Sequence, residues 1–151
     1  MSDVDDPIAF EVFNEIGIIE QLVRNRFERT LPAGLTLSQF GVLNNFVRLG
    51  GERSPAGLAN AFQVTRPTMT NTLQRLESAG LVSIRPDPSD GRAKIVTITE
   101  AGRAMREACI SAQVPLIAEL DGLLPRDDLV ALLPGLRQLR ILLDKARDPP
   151  G

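Results

Sequence analysis

The order of three segments in the middle of the chain constrains the fold most. Val64-Thr-Arg-Pro-Thr-Met-Thr-Asn-Thr-Leu-Gln-Arg-Leu-Glu-Ser-Ala-Gly-Leu-Val82 reads as a helix with a polar, hydroxyl-rich leading turn. Asp87-Pro-Ser-Asp-Gly-Arg-Ala-Lys94 follows as a basic loop whose first residues are dense in turn formers. Leu81 to Arg85 and Ile95 to Thr99 alternate apolar and polar residues, the pattern of two half-buried strands. Just upstream, Ser54-Pro55 is an N-cap followed by proline at the first helical position, which predicts a short helix to about Phe62. Gln63-Val64 then makes a turn, and Thr65 caps the next helix, which ends at Ala79-Gly80.

The flanking segments are helical. Residues 7–30 predict a long helix whose apolar set (Ile8, Val12, Phe13, Ile16, Ile19, Leu22, Val23, Phe27) is wider than one narrow stripe. Such a helix needs two packing partners. Either it is buried on both sides within one chain, or its second side meets another subunit; few other elements are present to cover it, which favours the subunit. Leu31-Pro-Ala-Gly34 is a turn. Thr36 and Gln39 have the spacing of a capping box, with Leu35 and Phe40 placed as a hydrophobic staple, so a helix is expected from there to Leu49, ended by Gly50-Gly51. Thr99 can cap a long helix from Glu100 to about Leu120. A last Leu-rich helix should begin near Asp127-Asp128, be kinked or broken at Pro134-Gly135, and end near Arg147 before a frayed Asp148–Gly151 tail. The expected fold is mainly α with a small antiparallel β-hairpin wing, a winged helix-turn-helix. Its 151 residues suit one domain, with a lobe over 35–99 between helical segments over 7–34 and 100–147.

Composition removes most alternatives. The sequence has no His, so a Ser-His-Asp or Cys-His nucleophile system and a His-based zinc site are excluded. One Cys makes neither a thiolate cage nor an internal disulfide, and no Gly-rich phosphate loop occurs. No catalytic residue, metal site or cofactor is therefore expected, and Asp127-Asp128 reads as first-turn helix acids rather than a carboxylate pair. No apolar run is long enough to span a bilayer, and the acidic start lacks the pattern of a secretory signal, so no membrane partner and a cytoplasmic location are expected. The formal net charge is −2, yet residues 51–94 carry six basic against four acidic side chains, while residues 1–30 carry three against seven. The local field, not the total, governs encounter with nucleic acid.

Double-stranded DNA is the partner these residues suggest. With Leu73, Leu76 and Met69 turned inward, the helix leaves Arg66, Pro67, Thr68, Thr70, Asn71 and Gln74 on or near its leading exposed side. Asn and Gln pair adenine through two hydrogen bonds, Thr reaches bases or a thymine methyl, and Arg66 and Arg75 suit phosphate or guanine. On the wing, Arg92 and Lys94 have the spacing of one strand face, Ser89 lies at the tip, and Asp90 is placed to hold the Arg92 guanidinium. The plainer reading is a set of caps and a polar hairpin tip with an ion pair of little consequence.

These motifs resemble the MarR family of transcriptional regulators. The resemblance rests on Leu-Thr-Leu-Ser-Gln-Phe-Gly-Val-Leu (35–43), Thr-Arg-Pro-Thr-Met-Thr (65–70), Arg-Leu-Glu-Ser-Ala-Gly-Leu-Val (75–82) and the segment Asp-Gly-Arg…Ile-Thr-Glu-Ala-Gly (90–102), and it covers about residues 7–147. It implies a homodimer whose first and last two helices intertwine, acting usually as a repressor on a palindromic operator. It also implies residues 66–71 in the major groove and Arg92, oriented by Asp90, in the minor groove.

The family often senses aromatic acids or oxidants. A small aromatic or amphipathic effector would lie between the first two helices and the dimer helices, near Phe13, Ile16, Arg26, Phe40, Leu43 and Phe46, each of which also reads as plain core. The absence of Tyr, Trp and His removes common polar handles for a phenol. Peroxide-sensing members carry a cysteine early in the first helix; here Cys109 lies in a later helix, which favours a structural thiol. A winged helix used as a protein-interaction module without DNA binding is the competing reading.

Overall fold

The computed structural model describes residues 5–147, and both the first four residues of the acidic start and the Asp148–Gly151 tail lie outside them. In chain order the elements are α1 (Ile8–Thr30), a 3-10 turn (Pro32–Gly34), α2 (Leu37–Leu49), α3 (Pro55–Ala61), α4 (Arg66–Ser78), β1 (Val82–Asp87), β2 (Asp90–Ile98), α5 (Glu100–Leu123) and α6 (Arg126–Arg147). Local chemistry sets these boundaries. The Thr36 hydroxyl accepts the Gln39 N–H while the Gln39 side chain accepts the Thr36 N–H, a complete capping box. Ser54 and Thr65 cap α3 and α4 by accepting the N–H groups of Gly57 and Thr68. Gly50 ends α2 at φ 67°, a backbone region glycine enters without steric cost.

The chain divides into two compact units, one ending at Gln113 and one beginning at Val114. The core belongs to the first. Val42, Leu43 and Phe46 of α2, Leu58 of α3, Leu73 and Leu76 of α4, Val96 of β2 and Cys109 of α5 are almost completely enclosed in one cluster, with Leu35, Met69, Leu81 and Val82 around them. The inward set expected for α4 is thus Met69, Leu73 and Leu76, as its periodicity requires. In the second unit, α6 carries Asp127 and Asp128 in its first turn, where acids complement the helix N-terminus.

Three expectations are corrected. The hairpin is longer and its turn tighter than 81–85 and 95–99 with a loop between them. Asp87 pairs with Asp90 across a Pro88-Ser89 tip, so β2 begins at Asp90. Alternation hid this because the register shifts after Pro86, which pairs with Lys94, and Gly91, Arg92 and Ala93 form a bulge on β2. Helix α5 continues past Leu120 to Leu123 and across Pro115. Helix α6 is continuous through Pro134, so the break expected there does not occur; each proline withdraws only one helical donor. A contact outside the hairpin was not legible at all: Arg53 bridges Val96 with backbone bonds of 3.0 and 2.7 Å in the two directions, extending the sheet by one residue.

Burial within one chain does not account for the apolar width of α1. No α1 residue is buried; Val12, Val23 and Phe27 are half-buried while Ile8, Phe13, Ile19 and Leu22 are exposed. Helix α6 likewise buries none of its residues, and Val130, Leu132, Leu142 and Leu143 are more than half exposed.

Among the described glycines, Gly102 in α5 meets the closest approach. A Cβ there would stand 2.1 Å from the Leu81 carbonyl oxygen and 2.7 Å from Ile98 Cγ1. Alanine would gain about 1 kcal/mol of helix propensity, but the clash is with backbone and wins. Gly102→Ala should lower unfolding free energy by about 1–3 kcal/mol in urea denaturation, whereas Gly91→Ala, with open space around it, should change little. An unchanged Gly102→Ala midpoint would contradict the packing.

Burial also pushes the Cys109 thiol above its ordinary pKa, so it stays neutral near pH 7. Iodoacetamide should label Cys109 far more slowly in the native protein than in urea. Equal rates would mean that the core around α5 opens readily.

Candidate nucleic-acid interface

Helix α4 is amphipathic in an unusual sense: one side is sealed in the core and the other is polar. Arg66, Pro67, Thr68, Thr70, Asn71, Gln74 and Arg75 are all exposed. By helical geometry Pro67, Asn71 and Gln74 lie opposite the Met69–Leu73–Leu76 stripe, with Thr70 and Arg75 flanking them. Arg66 stands nearest the buried margin, in the first turn. The Thr65 hydroxyl donates to that of Thr68 at 2.8 Å while accepting the Thr68 N–H. This leaves the Thr68 proton available outward. Helix α3 packs on α4, and the Phe62 to Thr65 connection joins them as a helix-turn-helix.

The wing is built from short local bonds. Asp87 accepts both the Ser89 N–H (2.9 Å) and the Ser89 hydroxyl (2.7 Å), which closes the tip. Asp90 accepts the backbone N–H of Arg92 at 3.1 Å. The expectation that Asp90 holds the Arg92 guanidinium is therefore corrected: it fixes the backbone of the bulge, and the guanidinium has no ion pair among the described residues. Simple alternation does not relate Arg92 to Lys94 either, because the bulge lies between them; both are nevertheless exposed. Ser89 sits at the tip itself, with its hydroxyl turned onto Asp87.

The basic residues of 51–94 separate into two groups. Arg85 pairs with Glu52, and Arg53 donates to the Glu52 carbonyl and stands 5.7 Å from the centre of the Phe46 ring. These two fasten the wing and the α2–α3 connection. Arg66, Arg75, Arg92 and Lys94 make no ion pair among the described residues. The bonds missed by sequence reasoning are mostly between distant positions, such as Glu52 with Arg85 and Glu77 with the Ile84 N–H, which no local pattern announces. Asp87 was readable in principle, since Asp followed two residues later by Ser is the spacing of an Asx turn.

The six residues expected around an effector are not equivalent. Leu43 and Phe46 are wholly enclosed in the core and line no open surface of this chain. Phe40 is half-buried on α2, and Phe13, Ile16 and Arg26 are exposed on α1.

A helix-turn-helix whose second helix turns a polar side outward, followed by a basic hairpin, defines the winged helix-turn-helix class. Comparison with known proteins gives the family. Residues 33–93 match the model of the MarR family. BldR, a transcriptional regulator from Sulfolobus solfataricus, superposes with a TM-score of 0.74 at 27% identity, covering 92% of this chain and 97% of that one. BpsR of Bordetella bronchiseptica, whose DNA binding is regulated by 6-hydroxynicotinic acid, superposes at 0.71 with 27% identity over 86% and 98%. A cysteine-to-serine mutant of MarR from E. coli, in complex with operator DNA, superposes at 0.64 with 28% identity over 89% and 99%. The chain thus carries a MarR-family segment over residues 33–93 and has the winged-helix fold of MarR-family transcriptional regulators. Among the described residues no helix is long and apolar enough to cross a membrane.

The Ser89 bonds hold the Asp87 carboxyl below the usual carboxylate range. A depressed folded value means that its contribution to the tip is present above the ordinary carboxylate pKa and is lost as pH falls through the depressed one. The Ser89 amide resonance should therefore shift only below the ordinary Asp titration. The step should vanish in Asp87→Asn. Titration at or above the ordinary value would show that the tip bonds do not form in solution.

Proposed function

We propose that the protein is a homodimeric repressor that binds a palindromic DNA operator and is released by a small aromatic effector. The observation that carries the reading is the division of the basic side chains. Those with partners fasten the fold, and the uncommitted ones, Arg66 and Arg75 on α4 and Arg92 and Lys94 on the wing, flank the polar side of a helix of major-groove size. In this reading Arg66, Pro67, Thr68, Thr70, Asn71, Gln74 and Arg75 face the major groove. Arg92 enters the minor groove, with Ser89 and Lys94 near phosphate and Asp90 holding the bulge. The operator complex of the related MarR mutant supports this placement.

The dimer reading assigns 7–34 and 100–147 to subunit contact and 35–99 to the DNA lobe. Its support is the apolar side chains of α1 and α6 that the chain leaves exposed. Effector release rests on the likeness to BpsR. Phe13, Ile16, Arg26 and Phe40 remain its candidate residues.

The test is selection of a duplex by the wild-type protein from a random-sequence pool, followed by fluorescence anisotropy at several salt concentrations. Two chains should bind each selected duplex in preference to random DNA. Arg92→Ala should weaken selected and random DNA alike and lower the slope of log K against log salt by about one. Asn71→Ala should cost about 1–3 kcal/mol on the selected duplex alone. Failure of an intact dimer to bind any DNA at low salt would assign the lobe to protein–protein assembly instead.

A further inference from the structure

Thr99, the single residue between β2 and α5, joins three elements. Its N–H donates to the Leu81 carbonyl at 3.1 Å, and its hydroxyl donates to the Gly80 carbonyl at 2.7 Å. The same oxygen accepts the Gly102 N–H at 3.0 Å and so caps α5. Gly80 and Leu81 close the C-terminus of α4 just beyond Ser78: their N–H groups return to the carbonyls of Glu77 and Leu76 at 2.9 Å each. Leu81 leads into β1, and Ile98 pairs with Val82 at the root of the wing. Gly102 then presses α5 so closely on the Leu81 carbonyl and Ile98 that no side chain fits between them. The C-terminal end of α4, the wing root and the first turn of α5 are therefore one rigid knot, with a single hydroxyl at its centre.

We infer that Thr99 is a positioning residue for operator recognition, setting the angle at which α4 and the wing are carried on α5. This rests on the dimeric operator reading above. A dimer that reads two half-sites demands a fixed separation and rotation of its two recognition helices. Inserting one base pair moves a half-site by about 3.4 Å and turns it by about 35° about the duplex axis. A stiff knot cannot follow that change, and a loosened one can. Thr99 would then control which half-site spacing is accepted without touching DNA.

The experiment uses the full chain and two duplexes: the palindrome selected by the wild-type protein, and the same duplex with one base pair inserted at its centre. Wild type should bind the inserted duplex more weakly by on the order of tenfold or more. Thr99→Val keeps the shape but removes both hydroxyl bonds. It should bind the two duplexes nearly equally, with an unchanged salt slope. Thr99→Ser, which keeps the hydroxyl, should restore the wild-type ratio. A Thr99→Val protein that retains the wild-type ratio overturns the inference while leaving the DNA-binding reading intact. So does one that loses both duplexes in parallel with its thermal stability, since that is the behaviour of a merely structural bond. A wild-type protein that selects no duplex, or does not distinguish the two, removes the dimeric operator reading and the inference with it.

Discussion

The structure depends on the burial of one side of α4. Met69, Leu73 and Leu76 are enclosed by the lobe core, so the helix cannot roll, and its polar side is presented in a single orientation. Burying three such side chains is favourable by several kcal/mol, roughly 1.5–3 for each. Against that, the hydrogen bonds that define the exposed side are individually small. The core thus holds the helix while the outward residues remain free to be chosen for what they contact. A helix that must both stabilise and recognise is viable only when those tasks fall on opposite sides.

Around this helix the charges follow the same division. Arg53 and Arg85 are spent on Phe46, on the Glu52 carbonyl and on its carboxylate, and they close the sheet against the α2–α3 connection. The half-exposed Arg85–Glu52 pair adds little stability, but it offsets one cation, and together with the Arg53 contacts it fixes the wing root. Asp87 and Asp90, which lower the local charge, are bonded to backbone groups of the tip and bulge. The formal net charge of −2 is unevenly spread, and the acids nearest the exposed Arg92 and Lys94 are those that hold the shape of the tip and bulge.

The helices were largely legible because their signals are local. Thr36 with Gln39, Ser54 with Pro55, and Thr65 before the polar turn each place an oxygen where an unpaired helix N–H needs one, within three residues. The exposed polar side of α4 followed from periodicity alone. The wing was only half legible. Its strands were expected, but the bulge at Gly91–Ala93 was not, because a register shift is a relation between two strands and leaves no mark on either one. That is also why Asp90 was assigned to the Arg92 guanidinium instead of to its N–H. Leu43 and Phe46 show the same limit: an apolar residue on α2 looks alike in sequence whether it lines a pocket or fills a core.

Sequence by itself determined the class of fold, the order and starts of the helices, and the residue types offered on the outer side of α4, because caps, turns and helical periodicity act over a few positions. It also made Gly102 a glycine without saying why. Tertiary structure alone decided which cations are committed and which are free, how the wing tip is tied, and that Thr99 joins α4, the wing root and α5. Those outcomes depend on which distant groups meet at hydrogen-bonding distance, and distance through space is set by the packed core and not by separation along the chain.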